Sequence, residues 1–262
     1  MHDWPLGMIV PLQDPTPFSP FAPVEWRQAV RRIKAAGYDG VELAITDPLK
    51  TDLASVKEAL DTEGLRLLSI TTGQAAGLEG LSLTSDDEKI RRRTIERIEA
   101  HMDFAAEFGA VVIVGSLRGV DGDITSLAET LRECARHAPK VRLALEPLNR
   151  YESRLVNTVG DALGVIDKVG AKNLGILADT FHANIEETNI GEAFSAAGDR
   201  LFHVHLADSN RWIPGYGHLD FKQVWDALDA IDYQHALVLE PLPKPSAEAL
   251  INAPARLRGE SR

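Results

Sequence analysis

Eight short apolar runs recur along the 262 residues, each followed by a stretch of helical periodicity. That rhythm constrains the fold most, because parallel strands need a long crossover and a helix supplies it. Four consecutive runs in the second half add chemistry. Leu143-Ala144-Leu145-Glu146, Ile176-Leu177-Ala178-Asp179, His203-Val204-His205 and Leu237-Val238-Leu239-Glu240 each read as a buried strand ending in a metal-ligand residue type. The ends lie 33, 26 and 35 positions apart, about one strand–helix unit each. A parallel barrel would bring Glu146, Asp179, His205 and Glu240 to one mouth, where they could converge on one cation.

The strands expected from the pattern are Leu6–Val10, Gly40–Ala44, Leu65–Thr71, Ala110–Val114, Arg142–Leu145, Leu174–Ala178, Leu201–Leu206 and Ala236–Leu239. Between them, helical segments cover Val24–Ala36, Asp52–Glu63, Ile124–His137, Val159–Val169, Ile190–Ala197 and Phe221–Ile231. Ser85-Asp86-Asp87-Glu88 has the form of a capping box opening a helix to about Phe108. The last helix is short, Ser246–Ala253, bracketed by Pro245 and Pro254. Eight such units in this length give an α/β fold, a (β/α)8 TIM barrel, and no linker divides the chain, so residues 1–262 read as a single domain. An open doubly wound sheet lacks support, since no Gly-x-Gly-x-x-Gly follows the first strand.

Side chains alternate along a strand. If Glu146 points into the barrel, so does Ala144, while Leu143 and Leu145 face the helices. The same holds for Glu240 and Val238 against Leu237 and Leu239. His203 and His205 share the inward face, with His203 one layer deeper, where it reads as a hydrogen-bonded core residue.

Net charge is −11 and the one basic run is Arg91-Arg92-Arg93, which argues against a nucleic-acid partner. Cys134, the single cysteine, lies in a helical pattern and reads as an inert buried thiol. No apolar run reaches membrane-spanning length, and the N-terminus lacks a leader pattern, so a cytoplasmic enzyme with no membrane partner is the expectation.

Two Glu, one Asp and one His make an oxygen-rich site that favours Mn²⁺ or Mg²⁺ over structural Zn²⁺. A metal on a ketone and its neighbouring hydroxyl acidifies the proton on the carbon alpha to the ketone. Two carboxylates on opposite faces of that carbon could remove the proton and return it on the other side, which is epimerisation.

The stretches Glu146-Pro147-Leu148-Asn149-Arg150-Tyr151-Glu152, Asp179-Thr180-Phe181-His182, His203 to Arg211, Pro214-Gly215-Tyr216-Gly217-His218 and Leu239-Glu240-Pro241 resemble the ketose 3-epimerase family, within the xylose-isomerase-like barrel superfamily. Thr72-Gly73-Gln74-Ala75 and Asp208-Ser209-Asn210-Arg211-Trp212 look most similar to its 5-keto-L-gluconate epimerase subgroup. The resemblance implies Glu146 and Glu240 as metal ligands that also form the acid/base pair, with Asp179 and His205 completing one divalent site for Mn²⁺, Mg²⁺ or Co²⁺. It implies Glu152, His182 and Arg211 on the oxygens of a small sugar substrate, and a homo-oligomer, dimer or tetramer, as further partner. Arg118, Arg150 and Arg211 are spare cations near the mouth. Arg118 reads either as the partner of a substrate carboxylate or as a solvated loop charge. Hydroxypyruvate isomerase and inosose isomerase or dehydratase share the barrel and metal. A DNA-repair endonuclease of the endonuclease IV type would need further histidines in a multi-metal cluster, drawn from His2, His101, His137, His218 or His235.

Overall fold

The computed structural model describes residues 4–259. Eight strands close into one parallel barrel in chain order. They are β1 (Leu6–Pro11), β2 (Gly40–Ala44), β3 (Arg66–Thr71), β4 (Val111–Val114), β5 (Leu143–Leu145), β6 (Leu174–Asp179), β7 (Leu201–Leu206) and β8 (Leu237–Leu239). The main outer helices are α1 (Trp26–Ala35), α2 (Leu53–Glu63), α4 (Glu88–Ala106), α5 (Ile124–His137), α6 (Val159–Val169), α8 (Ile190–Ala197) and α9 (Phe221–Ala230). Two one-turn to two-turn helices follow strands directly at the mouth: α3 (Gln74–Glu79) after β3 and α7 (Thr180–Glu186) after β6. Among the described residues no helix is long and apolar enough to cross a membrane.

The core divides as alternation requires. Leu143, Leu145, Leu237 and Leu239 belong to the large cluster between strands and helices. Ala144 and Val238 fall in two small clusters inside the barrel, with Val111, Ile113 and Leu177 or with Ile9, Ala44 and Leu68. Two register shifts alter this pattern. Between β2 and β3, Val41 pairs with Leu67 but Glu42 with Ser69. Between β6 and β7, Ile176 pairs with Leu201 but Leu177 with His203. The extra residues, Leu68 and Phe202, then pack against the interior clusters, and Ser69 and His203 stay inward beside them.

Several expected boundaries shift by one or two residues, and two helix ends differ in kind. Ser85 does not cap α4: Asp87 does, its carboxylate accepting from Lys89 N at 2.8 Å, while Ser85 Oγ accepts from Asp87 N. Pro254 does not end the last helix. The chain forms α10 (Ala247–Ile251) and then α11 (Ala253–Gly259), with Pro254 in the first turn of α11, where a missing N–H costs nothing.

Cys134 lies on α5 and is fully buried, and burial, with Glu99 and Glu133 nearby, pushes its thiol up to about 12. The folded protein should therefore resist a disulfide reagent near about pH 8 and release one thiol only in denaturant. Immediate stoichiometric reaction of the native protein would contradict this burial.

Candidate metal centre and catalytic mouth

Each expected ligand stands at a strand end held by the barrel ladder. Glu146 N donates to Val114 O at 3.1 Å and Glu240 N to Leu206 O at 3.2 Å, so both residues continue their neighbours' hydrogen bonding as the strands stop. Asp179 pairs in register with His205. One Asp179 oxygen caps α7, with Oδ1 accepting from Phe181 N at 2.7 Å, which turns Oδ2 toward the mouth. Gly115, after β4, makes room: a Cβ there would lie 2.5 Å from Glu146 Oε2. All four side chains are buried, and ligand atoms from Glu146, Asp179, His205 and Glu240 lie within 4.8 Å of one another.

This cluster is electrostatically crowded. Burial and Glu240 push the Glu146 carboxyl well above the usual carboxylate range. Burial also lifts Asp179, against the pull of His182 and Arg211. Burial acts on Glu240 too, but His205 and Arg211 outweigh it and hold this carboxyl below its ordinary value. Asp179 Oδ2 and His205 Nδ1 are buried without hydrogen-bond partners. Orphaned buried polar atoms are costly, and a divalent cation would satisfy both while cancelling the repulsion among the acids. The residues therefore fit a cation. Three carboxylates and one imidazole are a hard donor set suited to Mn²⁺ or Mg²⁺.

Beneath the cluster lies a residue the strand-end pattern overlooks. Glu42, in the middle of β2, is fully buried. Its Oε2 accepts from Ser69 Oγ at 2.5 Å, and the Nε2 atoms of His205 and His203 lie 3.0 and 3.2 Å away. His203 thus sits one layer down, hydrogen-bonded, as expected. Burial would raise the Glu42 carboxyl, but His205 and His203 outweigh it and hold it far below its ordinary range. With Nε2 held by Glu42, His205 presents Nδ1 to the three carboxylates, 3.3 Å from Glu240 Oε2.

The cavity above the cluster measures about 250 Å³ and is lined by Glu146, Glu240, Glu152, His182, Arg211 and Phe18, among others. His182 Nδ1 accepts from Asn149, 2.8 Å from its Nδ2 and 3.2 Å from its backbone N. Burial lowers the pKa of this ring, and its Nε2 lies 3.8 Å from Asp179 Oδ2 and 3.4 Å from Arg211 Nη1. Arg211 Nη2 donates to Glu240 Oε2 at 2.8 Å, and its Nη1 lies 3.5 Å from Glu152 Oε1. Its guanidinium is sandwiched between Phe18 at 4.4 Å and Phe181 at 4.7 Å. The Arg211 backbone has φ of +58° and is fixed by Asp208, whose carboxylate gathers the amides of Ser209, Gly215 and Leu219. Gln74, singled out in the sequence, ties down the loop that carries Phe18 by donating to Asp14 O and Pro15 O.

Arg118 is a correction. It is fully buried, and its guanidinium donates to the carbonyls of Leu155, Val156 and Gly115, bracing the loop after β5. It is neither a solvated charge nor available to a substrate carboxylate. Arg150 is also engaged, forked onto Glu186. Arg211 is the one arginine or lysine lining the mouth among the described residues. The other histidines are elsewhere: His101 bonds to Arg97 O and Ile45 O, His137 to Asp103, His218 is exposed with its N donating to Ser209 Oγ, and His235 lies near Arg142, while His2 is outside the described residues. Among the described residues the second acidic–histidine group, Glu42 with His203 and His205, shares His205 with the first and provides no separate cluster at the mouth.

Residues 30–258 match the model for the xylose isomerase-like TIM barrel. The chain belongs to that family. D-psicose 3-epimerase of Enterocloster bolteae is 32% identical over 235 residues, which are 83% of this chain and 77% of that protein. The apo crystal structure of 3-keto-D-glucoside 4-epimerase from E. coli superposes with a TM-score of 0.80 at 28% identity, over 98% of this chain and 100% of that one. D-allulose 3-epimerase from Methylomonas sp., in complex with D-allulose, gives 0.78 at 27%, over 95% and 88%.

Two substitutions test the centre by metal affinity. Asp179→Asn should weaken Mn²⁺ binding strongly, because a charge leaves the donor set. Glu42→Gln should weaken it about 10–100-fold through loss of the His205 partner. Electron paramagnetic resonance titration of free Mn²⁺ reads both, and wild-type affinity in either variant would contradict the assignment.

Proposed function

We propose that this protein is a metal-dependent sugar epimerase that inverts the carbon alpha to a ketone. The observation that carries this reading is the pair Glu146 and Glu240. They rise from strands three places apart round the barrel, are both buried, and face one cavity of a size that suits a monosaccharide. One takes the proton from the carbon and the other returns a proton on the opposite face. A divalent cation held by Glu146, Asp179, His205 and Glu240 would polarise the ketone and acidify that proton; the donor set favours Mn²⁺, with Mg²⁺ or Co²⁺ as substitutes. His182 Nε2 and a spare N–H of Arg211 hydrogen-bond sugar oxygens, and Glu152 accepts from a hydroxyl. The aromatic walls of Phe18 and Phe181 hold the Arg211 fork in place.

The substrate class follows from what the mouth offers. A keto-sugar acid such as 5-keto-L-gluconate needs a cation for its carboxylate, and with Arg118 and Arg150 engaged only Arg211 remains on the cavity wall. Free ketoses and keto-glycosides therefore stand ahead of keto-acids. The full-length match to the E. coli 3-keto-D-glucoside 4-epimerase favours a keto-glycoside as a second reading beside the ketose 3-epimerase one.

Glu146→Gln and Glu240→Gln keep shape and lose the proton acceptor. Each should lower kcat by at least about 10²-fold on the preferred sugar. Assay of D-allulose, D-fructose, a 3-keto-glucoside, a keto-gluconate, hydroxypyruvate and inosose with Mn²⁺ identifies that sugar. Turnover of hydroxypyruvate or inosose alone, or an undiminished rate in both variants, would overturn the reading.

A further inference from the structure

At the opposite end of the barrel, where the strands begin, lies a second cavity of about 390 Å³. Four charged residues line its rim, Lys57, Asp61, Arg66 and Glu107, all exposed. Two are cations and two are acids, so the rim is neutral in sum. The floor is not. Arg142, immediately before β5, is half-buried there, and among the described residues no carboxylate lies within salt-bridge distance of it. Its Nη1 donates to the His235 ring, 2.8 Å from Nδ1, and its guanidinium lies 5.9 Å from the centre of Phe202. Its Nε and Nη2 have no protein partner among the described residues.

A partly desolvated guanidinium with a neutral imidazole as its one hydrogen-bond acceptor is an uncompensated charge. Burying a charge without a counter-ion is unfavourable, and proteins ordinarily pair it. Burial, Arg142 and His203 hold the His235 ring down to about 4, so His235 adds an acceptor to the floor and no positive charge at neutral pH. The free edge of the guanidinium is the planar fork that binds carboxylate or phosphate through two parallel hydrogen bonds.

We propose that this basal cavity binds a small oxyanion, a carboxylate or a phosphate, anchored by Arg142 and roofed by Phe202 and His203. The site is separate from the catalytic mouth, so its occupant need not be a substrate.

The test is a titration of the Mg²⁺-loaded protein with inorganic phosphate and with malonate, at ionic strength held constant with chloride. The His235 ring signals report the basal cavity by NMR, and those of His182 report the mouth. The proposal expects a saturable shift of His235 with His182 unmoved, and at least about tenfold weaker binding in Arg142→Gln. Arg142→Lys, which keeps charge and loses the fork, should fall between. A response to phosphate alone identifies a phosphate ester as the natural class, and one to malonate alone a carboxylate; either supports the site. If Arg142→Gln does not fold, the wild-type titration still decides. No saturable His235 shift, an equal shift with chloride, a shift of His182 alone, or unchanged affinity in a folded Arg142→Gln would overturn it.

Discussion

Everything at the mouth depends on holding three carboxylates and an imidazole closer together than they would stay unaided. Glu146, Asp179 and Glu240 repel one another in a buried space. A flexible scaffold would let them splay. The barrel prevents this because each carboxylate stands at the end of a strand whose backbone is hydrogen-bonded on both sides. Below them, Glu42 clasps His205 and His203 and so fixes which imidazole nitrogen faces upward. The site is thus two layers of charge, an acid–histidine floor and an acid-rich mouth, joined through one ring.

Much of this was legible in the sequence. Strand-end residues at strand–helix spacing are visible because the barrel repeats at that spacing, and the pleat tells which neighbours point inward. Glu42 was equally visible in kind: a Glu in the middle of Gly40-Val41-Glu42-Leu43-Ala44 must find buried partners. A strand-end pattern does not reach it, because Glu42 stands at a strand centre. The register shifts that bring Ser69 and His203 to Glu42 leave no trace in the pattern, since an extra residue in an apolar run is still an apolar run.

Arg118 shows the opposite limit. Its position just past β4 suggested a loop charge facing the mouth. What decides its environment is the loop after β5, whose Leu155 and Val156 carbonyls take the Arg118 guanidinium beside Ser153 Oγ and Leu148 N from the loop itself. A long-range demand of that kind cannot be read from local pattern. The short helices α3 and α7 escaped for a related reason, since one or two turns carry too little periodicity to register. Both matter, because Gln74 and His182 sit on them.

The central claim is proton removal and return at the carbon beside the ketone, by two carboxylates that line the mouth and exchange their protons with solvent. Running the reaction in D₂O with the preferred sugar and locating the isotope by NMR tests it most directly. The account predicts one solvent-derived deuterium in the product, at the inverted carbon and nowhere else. Inversion without deuterium at that carbon would contradict it and require a route in which the C–H bond is never exposed to a carboxylate base.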